Sequence, residues 1–446
     1  MLKPSASRVA ALTVGAALLL TAAGCGTDES DEPTGTQKVR LYGTDGNMLN
    51  TFHEEFADQA NLLNGMKGTA PATPLTDDFK NRLQSVSPNI DGYAYAAETY
   101  DAIIITALAA ELARSDDPAD IAAQINGVTV GGQSCTTVQA CLSLARSGND
   151  IRYRGPSLRG AGFTEAGEPA TASYATLHFD RSGKINEAKT EYLGAGNDSA
   201  ATDKEPPRPQ RNKPGNGARL KLGELLPRTG DLSLAYPPMA AGAALALKEI
   251  NNAGGVFGKP VLWVEGDDGT NPDVAKATVQ NHIDAGVQVI IGAGASGISR
   301  AVLPDVVEAG LILFSSSNTD AGLSTVEDKG LYFRSAPPDN LQGRALADVI
   351  LRDGPQKIVI VARNDSYGVG LQDNVRAELE RTGIGADRIK LMTYEPPASG
   401  EDSNVDFSTG AEEIKQYGPE AVLIIGFAES AGVIKALAAS GVEIQH

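Results

Sequence analysis

Two kinds of apolar segment alternate along the second half of the chain. Short runs rich in Val, Ile and Leu, such as residues 287–291, are typical of strands buried on both faces of a parallel sheet. Between them lie segments of helical periodicity, as with Leu371, Val375 and Leu379. The pattern predicts strands over 220–226, 260–265, 287–291, 311–314, 357–362, 388–394 and 421–425, and helices over 239–252, 272–285, 301–309, 371–379, 407–417 and 430–439. This alternation predicts an α/β protein with doubly wound parallel sheets.

The alternation restarts after residues 335–339, which divides it into the α/β cores of two lobes, 218–338 and 339–446. The second sheet is unfinished at His446, where a βα unit calls for its next strand. We interpret this as circular permutation, in which residues 39–192 complete the fold and His446 lies beside Lys38. The alternative is an independent N-terminal domain joined to a truncated lobe, which would leave an open sheet edge.

Residues 39–192 contain a strand at 39–42, a helix at 97–113 and a β-rich segment at 173–179. A segment rich in Pro, Gly, Asn and charged residues, 193–217, follows and is predicted to be a disordered or extended linker. Each predicted lobe is then composed of separate parts of the chain, and three chain segments cross between the two lobes. Lobe one comprises residues 76–165 and 218–338, and lobe two comprises 39–75, 166–192 and 339–446.

The N-terminus has the pattern of an export signal. Lys3 and Arg8 precede an apolar stretch, 9–23, that is too short to span a bilayer. Residues 1–24 therefore resemble a bacterial lipoprotein signal peptide, with lipid attached to Cys25 and an acidic tether at 25–38. The alternative is an ordinary secretory signal with an incidental cysteine. The lipoprotein interpretation predicts anchoring at the extracytoplasmic face of the cell membrane.

Composition narrows the possible partners. Removal of residues 1–24 takes away two basic and no acidic side chains, so the net charge moves from −18 to −20. Such acidity argues against nucleic acid as a partner, because phosphate binding needs clustered Lys and Arg. Cys135 and Cys141 are predicted to form a disulfide, since the exported protein lies in an oxidising environment. A metal site is the alternative, but the four histidines are scattered and none flanks the pair.

Polar turns follow two successive predicted strands. The first, Gly292 to Gly297, has the G-x-G-x-x-G spacing of a dinucleotide site. However, it follows the third strand of its lobe, and the next strand ends in serines where a ribose-binding acid is expected. The glycines can serve a tight turn, or Ser296 can face a ligand. The second turn, 315–319, lies at the same sheet edge, and its hydroxyls suit a carboxylate unless they serve only as helix caps.

At these turns the chain resembles periplasmic substrate-binding proteins of the branched-chain amino-acid type, the Leu/Ile/Val-binding proteins, which deliver solutes to ABC transporters. Separated motifs carry the resemblance, in exchanged order along the chain: 223–230, 246–258, 291–296, 315–319, 365–368, 406–408, 43–46, 95–102 and 179–183. The resemblance implies the type I periplasmic-binding fold, with two lobes joined by a three-segment hinge, no cofactor and no metal.

The resemblance also implies a set of ligand-binding residues. Ser296 and Thr319 match residues that hold the ligand carboxylate, and the carbonyl of Ser317 matches one that accepts from the ligand ammonium. Asp45 matches the acid that pairs with this ammonium, although a turn residue before Gly46 is its alternative role. The aromatic residues implied at the site are Tyr367, which closes over the ligand or alternatively only packs the loop entering its helix, and Tyr236, Tyr95 and Phe427 around the ligand side chain.

These observations predict a solute-binding lipoprotein, not an enzyme, that captures an amino acid or small amide between closing lobes and passes it to a membrane permease. Three other functions make different demands on the sequence. An NAD-dependent oxidoreductase lacks the ribose-binding acid. An exported hydrolase would need a nucleophile and a base, but the sequence has no Gly-x-Ser-x-Gly and no histidine near the serine turns. A ligand sensor that feeds a signalling partner would use the same lobes.

Overall fold

A computed structural model describes residues 38–207, 218–397 and 405–445. The signal segment, Cys25 and His446 lie outside these residues. The strands are β1 (Lys38–Gly43), β2 (Lys67–Pro71), β3 (Gln133–Cys135), β4 (Ile151–Tyr153), β5 (Thr171–His178), β6 (Glu191–Gly196), β7 (Lys221–Leu225), β8 (Leu262–Val264), β9 (Val289–Gly292), β10 (Ile312–Ser315), β11 (Tyr332–Arg334), β12 (Ile358–Arg363), β13 (Ile389–Tyr394), β14 (Ala421–Ile425) and β15 (Glu443–Ile444). The α-helices are α1 (Asp77–Val86), α2 (Ala96–Ala113), α3 (Pro118–Val128), α4 (Val138–Arg146), α5 (Tyr236–Asn252), α6 (Pro272–Asp284), α7 (Ser296–Glu308), α8 (Asp339–Arg352), α9 (Ser366–Arg381), α10 (Ser408–Tyr417) and α11 (Ala431–Ala439).

The first lobe is built on a five-stranded parallel sheet in the order β11-β10-β9-β7-β8. Helix α2 packs against β9 and β10 and is itself covered by α3, α4 and α5. It is buried almost all round, which explains why its sequence is apolar on every face instead of amphipathic. Helices α6 and α7 pack together and contact β7 and β10.

The second lobe is built on a larger mixed sheet in the order β13-β12-β14-β1-β2-β5-β6, with β15 beside the start of β1. Strand β1 pairs in parallel with both β14 and β2, whereas β5 and β6 are antiparallel. The predicted two-lobed α/β fold is therefore confirmed. The second sheet is not parallel throughout, because at one edge β5 runs antiparallel to β2 and β6 runs antiparallel to β5.

Three segments that cross between the lobes join β2 to α1, β4 to β5, and β11 to α8. Residues 197–202 cross a fourth time, from the end of β6 to the first lobe. The crossing from β11 to α8 is short, and its prolines 337 and 338 lead directly into Asp339 at the start of α8. The crossings bring the carboxyl ends of β1, β10 and β12 toward one region, where ligands bind in open α/β folds.

Several boundaries differ from the prediction, and two of these differences are informative. Helix α7 begins at Ser296, not at residue 301, because Gly297 is accommodated within its first turn. The predicted disordered linker is wrong over 193–207: β6 continues to Gly196, and Thr202 donates its amide to the carbonyl of Phe163 at 2.8 Å. Pro207 accepts a hydrogen bond from Gln124 of α3 at 2.7 Å. These contacts fix the segment on the first lobe, which composition alone did not indicate.

Cys135 and Cys141 form a disulfide that closes the turn between β3 and α4. Within the described ranges, no helix has the length and apolar character needed to cross a membrane.

The two ends of the described chain lie side by side. Lys38 and Val39 of β1 pair with Glu443 and Ile444 of β15, and the Lys38 ammonium is 3.1 Å from the Glu443 carboxylate. The amide of Gln445 donates to the carbonyl of Val39 at 2.8 Å. Circular permutation requires this arrangement, and the permuted origin of the chain stays a prediction.

We predict that a rejoined variant, with residues 218–445 first and a short Gly/Ser linker leading to residues 38–207, folds to the same structure. The linker needs only to return from the end of β15 to the start of the neighbouring β1, a distance of roughly 10 Å. Thermal unfolding should then occur within a few degrees of that of the original order. A control fragment of residues 218–445 alone should lack a cooperative transition, because its sheet loses β1, β2, β5 and β6. A stable fragment and an unfolded rejoined variant would indicate an independent N-terminal domain instead.

Candidate functional site

Asp45 follows the end of β1, and its carboxylate is buried among hydrogen-bond donors from three helices. One oxygen accepts from the hydroxyl of Tyr95, which precedes α2, at 2.6 Å. The other accepts from Gln342 of α8 at 2.7 Å and from the hydroxyl of Tyr367 of α9 at 2.9 Å. Asp45 is 6% exposed. The structure thus brings together three of the predicted site residues, Asp45, Tyr95 and Tyr367.

Local backbone structure positions both tyrosines. Tyr95 has a left-handed backbone (φ 56°), an unusual conformation for a bulky residue that its short bond to Asp45 helps to hold. Tyr367 lies in the first turn of α9, which is capped by Asp365: its carboxylate accepts from the amide of Gly368 at 2.8 Å. Burial and the charge of Asp45 raise the pKa values of both phenols well above their usual range, so both remain protonated donors.

A second acid, Asp339, lies close to Asp45 and was not identified from the sequence. It is fully buried at the start of α8, and neither carboxylate oxygen has a hydrogen-bond partner in the described chain. Burial and the charge of Asp45 raise its pKa well above the usual value, whereas Thr319 and Arg334 act in the opposite direction. Burial also raises the pKa of Asp45, against the effect of its three donors. The two carboxyls therefore resist simultaneous ionisation while no cation is bound.

Thr319 connects this acid pair to the first lobe. Its carbonyl accepts from the amide of Asp339 at 2.7 Å, and its buried hydroxyl has no partner among the described residues. Its amide donates to the hydroxyl oxygen of Ser296 at 3.2 Å, and the amide of Asp320 does so at 3.3 Å. The hydroxyl hydrogen of Ser296 stays available for a further acceptor. Ser296 and Thr319 thus share one hydrogen-bonded unit.

The two polar turns at the sheet edge are bonded to each other, as expected for neighbouring strand ends. Ser315 donates to the carbonyl of Ala293 at 2.7 Å, and Ser317 donates to that of Gly294 at 2.7 Å. The side chain of Ser317 therefore serves the fold, and only its backbone carbonyl can serve a ligand in the predicted way.

The remaining aromatic residues differ in placement. Phe427 stacks on Tyr367, with ring centres 5.4 Å apart and planes inclined by 19°. The described interactions of Tyr236 are instead with Arg228, whose guanidinium is 5.6 Å from the ring centre, and with Glu224. The structure therefore places Phe427 against the acid cluster and gives no such contact for Tyr236.

A buried ion cluster, which sequence reasoning missed, joins the lobes beside Phe427. Arg363 at the end of β12 lies 2.6 Å from Asp365 and 2.6 Å from Glu429, both in the second lobe. It also lies 3.8 Å from Asp231 of the first lobe, whose carbonyl accepts from the amide of Ala428 at 3.1 Å. This contact closes the cleft at the edge of the site, so the arrangement described is a closed one.

A family model described as periplasmic binding protein matches residues 219–445, about half of the chain. The chain belongs to the periplasmic binding protein family. The matched region contains β7 to β15, with Ser296, Thr319, Asp339 and Tyr367. Asp45 and Tyr95 lie in the part of this periplasmic binding protein that the family model does not match.

Curated relatives match over a similar extent. The chain is 25% identical over 220 residues to Leu/Ile/Val-binding protein homolog 3 of Brucella melitensis, covering 49% of this chain and 57% of that protein. It is 26% identical over 216 residues to a leucine-, isoleucine-, valine-, threonine- and alanine-binding protein of Pseudomonas aeruginosa, covering 48% and 56%. The chain thus spans less than two thirds of the length of these relatives.

Among solved structures, the chain is similar to a branched-chain amino acid transporter substrate binding protein of Streptococcus pneumoniae in complex with isoleucine. The sequence identity is 24% and the TM-score 0.42, with 51% of this chain and 63% of that chain covered.

We predict that Asp339→Asn stabilises the ligand-free protein at neutral pH by about 1 kcal/mol or more, because the folded wild-type protein must either bury an unpaired charge or take up a proton to avoid it, and an amide requires neither. A raised pKa in the folded protein means that wild-type stability falls as the pH rises through that pKa. The advantage of the variant should therefore be small near pH 4 and grow toward pH 8 in thermal unfolding. Asp373→Asn, at an exposed position of α9, should show no such growth. Equal effects of the two substitutions at both pH values would contradict the assignment.

Proposed function

We propose that this periplasmic binding protein is an extracytoplasmic solute-binding protein of an ABC transporter, which binds an amino acid, branched-chain or related, or a small amide between its lobes. The observation that carries the proposal is the group formed by Asp45, Asp339 and Thr319. It combines two neighbouring buried carboxyls with a buried hydroxyl. The Thr319 side chain is near enough to Asp339 to lower its pKa, but neither side chain has a partner with hydrogen-bond geometry in the described chain. Buried polar atoms rarely remain unpaired unless a ligand or water completes them.

An α-amino acid zwitterion has the chemistry that this group lacks. Its ammonium carries three hydrogen-bond donors and a positive charge, which would bind the free oxygens of Asp339 and offset the repulsion with Asp45. Its carboxylate would accept from the hydroxyls of Thr319 and Ser296 on the first lobe. The groups around Asp45 are two phenol hydroxyls and an amide, which donate hydrogen bonds to its carboxyl group. Such donors favour an organic ammonium over a metal ion as the cation at this site.

The names of the relatives support the same class of ligand. The Brucella melitensis relative is described as Leu/Ile/Val-binding, and that of Pseudomonas aeruginosa as binding leucine, isoleucine, valine, threonine and alanine. Their matches cover about half of this chain, as expected if the other half lies in exchanged order. Residues 38–207 would then supply Asp45 and Tyr95, which complete the site.

Binding would be coupled to closure of the lobes. Ser296 and Thr319 belong to the first lobe, whereas Asp45, Tyr367 and Phe427 belong to the second, so a ligand that contacts both favours the closed state. The ion pair of Arg363 with Asp231 would form only in that state. Burial and the charge of Glu429 raise the pKa of Asp231 to about 6, so the cost of burying the ionised carboxylate grows as the pH rises through that value, and the pair with Arg363 offsets only part of it. A membrane permease would recognise the closed protein.

The proposed location follows from the N-terminal sequence. Lipid on Cys25 would hold the protein at the outer face of the cell membrane, where it meets solutes before transport. The acidic tether, residues 25–38, would allow the binding lobes to extend away from the bilayer.

We predict that Asp45→Ala and Thr319→Ala each abolish the rise in unfolding temperature that the wild-type protein shows with its amino acid. The first removes the group that pairs with the ammonium, and the second removes a donor to the carboxylate. The measurement is a thermal-shift screen of the mature protein against amino acids and small amides.

Matched controls separate lost binding from lost folding. Asp373→Ala and Thr325→Ala change the same residue types at exposed positions and should retain the full shift. All four variants should keep a cooperative transition without ligand. Retention of the shift in both site variants would overturn the assignment of the site.

A further inference from the structure

A cavity of ≈ 240 Å³ opens beside the acid cluster. Asp45 and Tyr95 line it together with Glu98, one helical turn further along α2. Much of its wall is apolar and is formed by side chains of both lobes: Met48, Leu49, Leu75, Leu177, Leu234 and Pro238. The volume holds several water molecules and suits the side chain of a bound amino acid.

Glu98 is the unusual member of this wall. It is 6% exposed, and its carboxylate is bonded to its own backbone amide. Burial raises the pKa of Glu98 to about 8, and repulsion from a neighbouring acid, Asp101, contributes to this increase. Among the residues that line this cavity, Lys80 alone is basic, and its ammonium lies 5.3 Å from the ring centre of Tyr93.

An acid in the first turn of a helix commonly interacts with the helix dipole. That interaction does not require burial, and an exposed position would provide it without the cost of desolvation. Glu98 instead places a carboxyl without a basic partner in the wall of an apolar cavity that also contains Asp45. A leucine side chain would leave this carboxyl unpaired, whereas a chain that ends in a cationic donor would pair with it.

We propose that Glu98 is a specificity-determining residue that binds the terminal amino or guanidinium group of a basic amino acid. The inference rests on the proposed function, since it needs the α-ammonium of the same ligand at Asp45 and Asp339. The ligand class is thereby narrowed from amino acids in general to lysine, ornithine or arginine.

Isothermal titration of the mature protein with L-lysine, L-ornithine, L-arginine and L-leucine tests this inference. We expect at least one basic amino acid to bind at least about tenfold more tightly than leucine, because a buried charge-assisted pair is lost with leucine. In Glu98→Gln the affinity for that basic amino acid should fall at least about tenfold, while the affinity for leucine changes less than about threefold. Glu187→Gln removes a negative charge from an exposed position on the same cavity and should change neither affinity by more than about threefold.

The outcomes separate this inference from the proposed function. Leucine binding that exceeds binding of all three basic amino acids would overturn the role of Glu98 and leave the proposed function intact. An equal loss of leucine and basic amino-acid binding in Glu98→Gln, with an unchanged unfolding temperature, would also overturn it. If neither an α-amino acid nor a small amide binds the wild-type protein, both proposals fail. Should Glu98→Gln not fold, Glu98→Asp, which keeps the charge but shortens its reach, must weaken basic ligands more than leucine.

Discussion

The buried carboxylate of Asp45 sets the geometry on which the rest of this structure depends. A carboxylate removed from water must be matched by hydrogen bonds, and those bonds come from residues on different elements: Tyr95 before α2, Gln342 on α8 and Tyr367 on α9. Asp45 in turn is placed by β1, which lies between β14 and β2 in the middle of the second sheet. Residues from distant parts of the chain must therefore assemble before the site exists.

The same carboxylate explains why the site is suited to a cation. Asp339 lies within electrostatic reach of Asp45, so the ligand-free cluster must hold protons or bear repulsion between two acids. A positively charged group between the lobes relieves that repulsion and contacts both lobes at once. In the proposed function, ligand binding and lobe closure would then be coupled, and the ion pair of Arg363 with Asp231 is the contact between the lobes at the edge of the cleft.

Much of the fold is readable from the sequence because the sheet interiors are continuous apolar runs. β9, β12 and β14 were predicted for that reason, and each is buried along its length. Helix α8 was not predicted, because it follows a proline-rich crossing, and Asp339 and Gln342 were missed with it. Residues 193–207 were expected to be disordered, since their polar composition does not reveal the contacts that hold them on α3.

The site was predictable only where a side chain belongs to a recognisable motif. Ser296, Thr319, Asp45 and Tyr367 lie in such motifs, and the structure gathers them near one another. Arg363 and Asp339 interact with Glu429 and Asp45, which are distant in sequence, so a linear pattern carries no signal for them. Glu98 lies within one of the motifs, but its burial in a cavity wall formed by several segments is visible only in the structure. The order of the two halves of the chain was indicated by an incomplete sheet, which is a topological argument and not a local one.

The central claim is that the acid pair and the serine and threonine turns hold the two ends of one zwitterion. A crystal structure of the mature protein with the amino acid that most raises its unfolding temperature tests this most directly. The account predicts the ligand ammonium within about 3 Å of a carboxylate oxygen of Asp45 or Asp339, and the ligand carboxylate at a similar distance from the Thr319 hydroxyl. A ligand bound elsewhere, with Thr319 and Asp339 still unpaired, would contradict it.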